Sequence, residues 1–246
     1  MADERAVLGA SVDRLRDLVE PLSPEQRRQQ AYPSEWSVAQ HLGSGAVIAG
    51  HRVDQALGGP EIDAQPIWDE WNAKDPDAMV VDGLAADAAF LHRLDALTTD
   101  ERASFVVPLG PMELDYDAYI GFRVNEHVLH TWDVEVAFYP AAVLPAGART
   151  IVLRVVPMIA GFAGKATGSI RTLEVATTGP HDRYSVQLTP DGVVVSPSEA
   201  HGPADVVLPA EALVRLVYGR LDPDHTPSFE GDEADLEELR RAFPGV

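Results

Sequence analysis

The sequence predicts a mainly α protein with an α+β tail: a bundle of four helices followed by a small mixed domain. Three observations carry this expectation. Through the first two thirds of the chain, apolar residues recur at the three- and four-residue intervals of a helix that buries one stripe. From Arg171 onward the texture changes to short β-branched runs separated by glycine and proline, the pattern of strands and turns. No segment repeats and none is of low complexity, so the chain is read as ordinary globular sequence.

Each element has its own signal. Asp3 to Val19 carries Val7, Leu8, Val12, Leu15, Leu18 and Val19 at helical spacing, and a break follows at Pro21, Pro24 and Pro33. Ser37, preceded by Trp36, is an N-cap for a second helix expected to run to about Leu57, where Gly58-Gly59-Pro60 stops it. The stretch with Pro66, Trp68, Trp71, Asn72 and Pro76 is read as a long connection, a kind of segment that often carries function. A third helix is expected over Asp82 to Leu97. A fourth begins near Asp115 or Asp117, after Pro108-Leu109-Gly110-Pro111, and continues to Phe138 before Pro140. Four such helices make a bundle, whose interior is a usual place for metal sites built from facing helices.

A further helical stretch, Ala146 to Phe162, leads into strands around Leu173 to Thr177, Tyr184 to Leu188 and Val193 to Val195. Pro209 to Tyr218 and Asp232 to Phe243 read as closing helices, with a short strand at Ser228 to Gly231 between them. Three glycines between Gly161 and Ser169 mark the expected boundary, which divides residues 1–164 from residues 165–246.

Composition narrows the function. The chain has 246 residues, 46% of them hydrophobic, with 39 acidic against 19 basic residues and a formal charge of −20. No basic run follows a phosphate backbone, so nucleic acid and anionic membrane are poor partners. The absence of cysteine excludes disulfides, thiolate metal ligands and a protein thiol nucleophile. Any thiol chemistry must use a thiol from outside. The acidic N-terminus lacks a secretory pattern, and no uninterrupted apolar run reaches the ~18 residues of a membrane span, so cytoplasmic residence is expected.

The chemistry-bearing stretch is Asn125-Glu126-His127-Val128-Leu129-His130-Thr131-Trp132-Asp133. At ~3.6 residues per turn, Glu126 and His130 stack on one helical face, as two metal ligands from a single helix do. A third ligand must come from elsewhere, and His41 is the best donor. Nitrogen and oxygen ligands of this kind suit zinc, and also nickel, iron or cobalt. The same spacing on a solvated face, with an incidental hydrogen bond, is the competing reading. His127 points about 100° away, toward a neighbouring helix or solvent, while His51 would lie about 80° round a continuous helix from His41. His92, His181, His201 and His225 have no partner pattern. Trp132 reads as core packing. Asp133 is either an acceptor orienting a ligand or a surface charge. Arg123, one turn before Glu126, is placed to reach the mouth of such a site, and in so acidic a protein an arginine is a natural anion anchor.

Trp36-Ser37-Val38-Ala39-Gln40-His41-Leu42 and Glu126 to Asp133, taken together, resemble the mycothiol-dependent maleylpyruvate isomerase family. Further likeness lies in Ala204 to Pro209, Leu216 to Arg220 and Phe229 to Asp232. The resemblance implies a DinB-like metal-binding four-helix bundle followed by a small α+β domain, and a metal triad of His41, Glu126 and His130. It also implies that Arg220 is the basic group that holds a substrate carboxylate, although an arginine there equally caps the helix ending near Tyr218. The expected cofactors are zinc or another divalent metal and mycothiol or another small thiol. The expected partner is a small electrophile, and the chain is expected as monomer or homodimer. The implied reaction is cis-trans isomerisation or thiol S-transfer; a small-ligand-binding protein, or an enzyme using neither thiol nor metal, are the alternatives on the same fold.

Overall fold

The computed structural model describes residues 3–32, 36–109 and 112–245. Pro33 and the Gly110-Pro111 pair, read above as breaks, lie outside the described residues, as does Glu35. The chain forms two compact units, Met1–Ala142 and Val143–Val246.

In the first unit, helix α1 (Glu4–Val19) is capped by the Asp3 carboxylate, which accepts from the amides of Arg5 and Ala6. A short helix α2 (Pro24–Arg28) precedes α3 (Val38–His41) and α4 (Gly45–Ala56). The last two correct an expectation, because a single helix from Ser37 to Leu57 does not form. The chain leaves the helix at Leu42, and Gly43-Ser44-Gly45, poor helix formers in sequence, let it restart in a new direction. The stretch read as a long connection also holds a helix, α5 (Gln65–Asn72), with Pro66 in its first turn and Trp71 buried.

Helix α6 (Pro76–Asp95) starts earlier than its apolar pattern, because Asp75 caps it and Pro76 opens it. After α7 (Thr99–Ala103) comes an unanticipated hairpin, β1 (Val107–Leu109) paired antiparallel with β2 (Met112–Leu114). Helix α8 (Tyr116–Val136) is capped by Asp115. The four long helices α1, α4, α6 and α8 make the bundle: α1 packs on α8 and α6, and α4 packs on α6. One core cluster joins Leu15 and Val19 to Val38, Ala39, Leu42, Trp71, Met79, Val80 and Val134, which seats the short helix α3 inside the bundle's apolar interior.

In the second unit a 3₁₀ turn (Ala146–Ala148) leads into α9 (Arg149–Ala163). Strands β3 (Arg171–Thr178), β4 (Arg183–Thr189), β5 (Gly192–Pro197), β6 (Val206–Pro209) and β7 (Glu230–Gly231) form one sheet in the order β5-β4-β3-β6-β7. All neighbours are antiparallel except β3 and β6. Helices α10 (Ala210–Val217) and α11 (Glu233–Ala242) complete it.

The unit boundary lies between residues 142 and 143, earlier than the 164/165 division expected from the glycines. The reason is α9, whose Val152, Val156 and Ala160 are buried and which packs on β5 and α10. Residues 146–163 are long and apolar enough to cross a membrane by length and composition, but the buried face of α9 serves as core for this sheet.

Candidate metal centre

His41 ends α3, and its position is set locally and from outside. Ser37 and Gln40 form a capping box: the Ser37 hydroxyl accepts from the Gln40 amide, and the Gln40 side-chain carbonyl accepts from the Ser37 amide at 2.8 Å. The amides of Val38 and Ala31 bond to the carbonyls of Gln29 and Trp36, and the Tyr32 amide donates to the Asp133 carbonyl on α8. Gly83 of α6 backs directly on the segment after His41. A Cβ at that glycine would stand 2.6 Å from the Leu42 carbonyl oxygen.

His130, Glu126 and Asp133 lie along α8. The Nδ1 atoms of His41 and His130 are 3.2 Å apart, and each is 3.6 Å from Oδ2 of Asp133. On the far side of the His130 ring, Nε2 is 3.9 Å from Oε2 of Glu126. The Asp133 carboxylate is fully buried, while the side chains of His130 and Glu126 are 31% and 27% exposed. Trp36 covers the pair, stacked on His130 at 6.3 Å between centroids and edge-on to His41 at 5.5 Å.

A cavity of about 490 Å³ opens beside this cluster, and its wall includes His41, Glu126 and His130 but not Asp133. Trp68 and Trp71 of α5 also line it. The donors fit a divalent ion in chemistry and spacing. Two imidazoles and a carboxylate are the usual nitrogen and oxygen set, and a triangle with the Nδ1, Nδ1, Oδ2 sides has its equidistant point about 2.0 Å from each atom, the length of a zinc–nitrogen bond. The alternative set is His41, Glu126 and His130 facing the cavity, with Asp133 behind both rings as the carboxylate that orients metal-bound histidines.

The other predicted residues separate clearly. Arg123 lines the same cavity, is 9% exposed and sits over the Phe90 ring. Arg220 lies in the second unit, where its Nη1 donates to the Tyr218 carbonyl at 2.9 Å and its guanidinium stacks over the Tyr218 ring, at the end of α10. His127 turns inward to Asp87 of α6, 3.3 Å away. Burial pushes the Asp87 carboxyl up to about 7 against the opposing pull of the Arg123 charge, and burial together with that charge holds the His127 imidazole well below its usual range. Asp87 was not singled out in the sequence, yet it had a signal: an acid between Leu84 and Leu91 on a helix's apolar stripe. His51, now on a separate helix from His41, is exposed, as are His92, His181 and His201, and His225 bonds to Asp222.

Comparison with known proteins agrees with this architecture. The family model of the mycothiol maleylpyruvate isomerase N-terminal domain matches residues 8–135. The crystal structure of the mycothiol-dependent maleylpyruvate isomerase is 16% identical to this chain, covers 90% of each chain and superposes with a TM-score of 0.63. The crystal structure of a point mutant of that isomerase is 15% identical, with 89% of each chain covered and a TM-score of 0.63. These structural likenesses show a shared fold. No curated protein matches the chain. With more than half of its residues matched by the family model, and a helical bundle followed by an α+β unit, the chain belongs to the mycothiol-dependent maleylpyruvate isomerase family.

Proposed function

We propose that the protein is a metal-dependent enzyme that activates a small thiol, of the mycothiol type, for attack on an electrophilic substrate. The carrying observation is that two imidazoles and Glu126 share one cavity wall while Asp133 is sealed behind the imidazoles. In this reading His41, Glu126 and His130 hold the ion. A bound divalent cation lowers the pKa of a thiol presented to it, so that thiolate exists at neutral pH. The buried Asp133 carboxylate, 3.6 Å from both rings, would orient the two imidazoles for the ion. Trp36 covers one side of the rings.

Isomerisation follows if the thiolate adds to an activated alkene, the resulting single bond rotates and the thiolate leaves again. S-transfer follows if the carbon–sulfur bond is kept. The absence of cysteine fits either outcome, since the nucleophile comes with the cosubstrate.

Elemental analysis of purified protein tests the reading. Near-stoichiometric zinc or a similar ion is expected in the wild type and loss of it in His41→Ala and Glu126→Gln. Asp133→Asn should weaken metal affinity by about 10- to 100-fold, the usual effect of removing a carboxylate behind a ligating histidine. The compact Nδ1 triangle supports a second arrangement with Asp133 as direct ligand. Metal retained in Glu126→Gln and lost in Asp133→Asn would establish that one. A wild type that contains no metal and cannot be loaded would sink the thiolate mechanism and leave a small-ligand-binding protein in its place.

A further inference from the structure

The sheet of the second unit ends differently on its two sides. At one edge β7 is two residues long and carries the exposed Glu230, so little strand is offered there. At the other edge β5 runs over the six residues Gly192–Pro197 and lacks the devices that close an edge, having no charged residue, no interior proline and an unbroken register with β4. That register shows which backbone groups are left over. Thr189 and Gly192 pair across a two-residue turn, so the alternating ladder turns the N–H and C=O groups of Gly192, Val194 and Ser196 to β4 and those of Val193 and Val195 outward. Among the described residues nothing bonds to these outward groups.

The side chains alternate the other way. Val193 and Val195 are buried on the α9 face, while Val194 projects from the opposite face and is 51% exposed. A Cβ on Gly164 would stand 2.8 Å from the Val193 Cβ, so the C-terminal end of α9 lies over the edge strand itself. That helix carries more apolar surface than its packing covers, since Val155, Pro157 and Met158 are partly exposed and Phe162 is 53% exposed. An open strand and an uncovered apolar flank thus occur at one margin of the sheet.

We propose that β5 pairs antiparallel with β5 of a second copy of the chain, so that two five-stranded sheets become one. A two-fold axis at Val194 sets Val193 opposite the partner's Val195 and Val195 opposite the partner's Val193, and these pairs exchange the outward N–H and C=O groups in both directions. Val194 meets the partner's Val194 as the non-hydrogen-bonded pair between them, where side chains come closest and β-branched residues pack well. The axis stands perpendicular to the sheet, so both α9 helices come to the same face and their apolar flanks are brought side by side. A lone foreign strand on this edge would leave that flank uncovered, which is why the second copy fits better. The absence of charge along β5 lets two chains of charge −20 approach here. The interface involves neither the metal donors nor the cavity.

Sedimentation equilibrium of the full chain tests this. A monomer–dimer equilibrium is expected, tightening with added salt because screening weakens the repulsion between two acidic chains. Val194→Lys and Val194→Asp each set like charges face to face on the axis and should each weaken dimerisation at least about ten-fold, whereas an equal mixture of the two should form a dimer with one of each. Hydrogen exchange of the wild type needs no variant. The amides of Val193 and Val195 should be protected at high protein concentration and exposed on dilution, while that of Val194 stays protected by β4. The proposal is overturned by a wild type that stays monomeric up to about 1 mM, by a dimer untouched by either variant, by mixed variants that stay apart, or by exchange at Val193 and Val195 that ignores concentration. A dimer dissociated by salt overturns it too, because this strand has no charge with which to form ion pairs. Protection of the same amides in a monomeric wild type by an added extended peptide would overturn the second copy in favour of a foreign strand.

Discussion

At the scale of single residues, Asp87 shows how burial converts an acid into a neutral group. Burial pushes its carboxyl up to about 7, whereas a free aspartate titrates at 3.8. The native state therefore binds a proton that the unfolded state has released, and stability should fall as pH rises from about 4 to about 7 and level off above. Asp87→Asn removes this dependence. Urea unfolding at about pH 5 and about pH 8 should show the variant gaining on the wild type at the higher pH; an equal difference at both values would refute the assignment. That Glu126 and His130 share a helix face was legible because spacing on one helix is a local property that needs no tertiary information. His41 was singled out as the third donor because it follows a helix start, but that it meets His130 is a tertiary fact that the sequence left open. The choice for Asp133 between surface charge and buried acceptor depends on which side α3 approaches, and that is decided by core packing around Leu42 and Val134.

At the scale of elements, the caps were readable and the interruptions were not. Asp3, Ser37 and Asp115 all start helices where the sequence places them or within a residue of it. The chain break at Leu42 was hidden because its flanking residues keep the apolar rhythm, and the close approach of α6 that accompanies it is a tertiary effect. Helix α5 was hidden by Pro66, which reads as a breaker until it is recognised as a first-turn residue. The four-residue α3 is too short to be stable alone and depends on its capping box and on burial of Val38 and Ala39. Ser37→Ala should cost about 1 kcal/mol of stability, read as a lowered urea midpoint, and it should weaken zinc affinity in a chelator competition because His41 loses its fixed position. Unchanged affinity would mean that the interior packing alone holds the imidazole.

At the scale of the whole molecule, the division into a helical and a mixed unit was legible from texture, but its position was not. Glycine content located the boundary after α9, whereas a sheet with an apolar face needs a helix to cover it, and α9 is one that does. Expressed alone, residues 143–246 should unfold cooperatively, as followed by circular dichroism on heating. Residues 165–246 should not, because the buried side chains of β5, Val193 and Val195, then lose the helix packed on them. Cooperative melting of the shorter piece would restore the later boundary.

Gly83 gives the candidate metal centre a dependence that no truncation can reveal. Replacing residues by smaller ones finds groups that act by touching something, but this position acts by keeping a volume empty. The Leu42 carbonyl occupies the space a methyl group would need, at 2.6 Å, and the residue before that carbonyl is His41. One carbon atom added on α6, remote in sequence from every candidate ligand, would displace an imidazole that it never contacts.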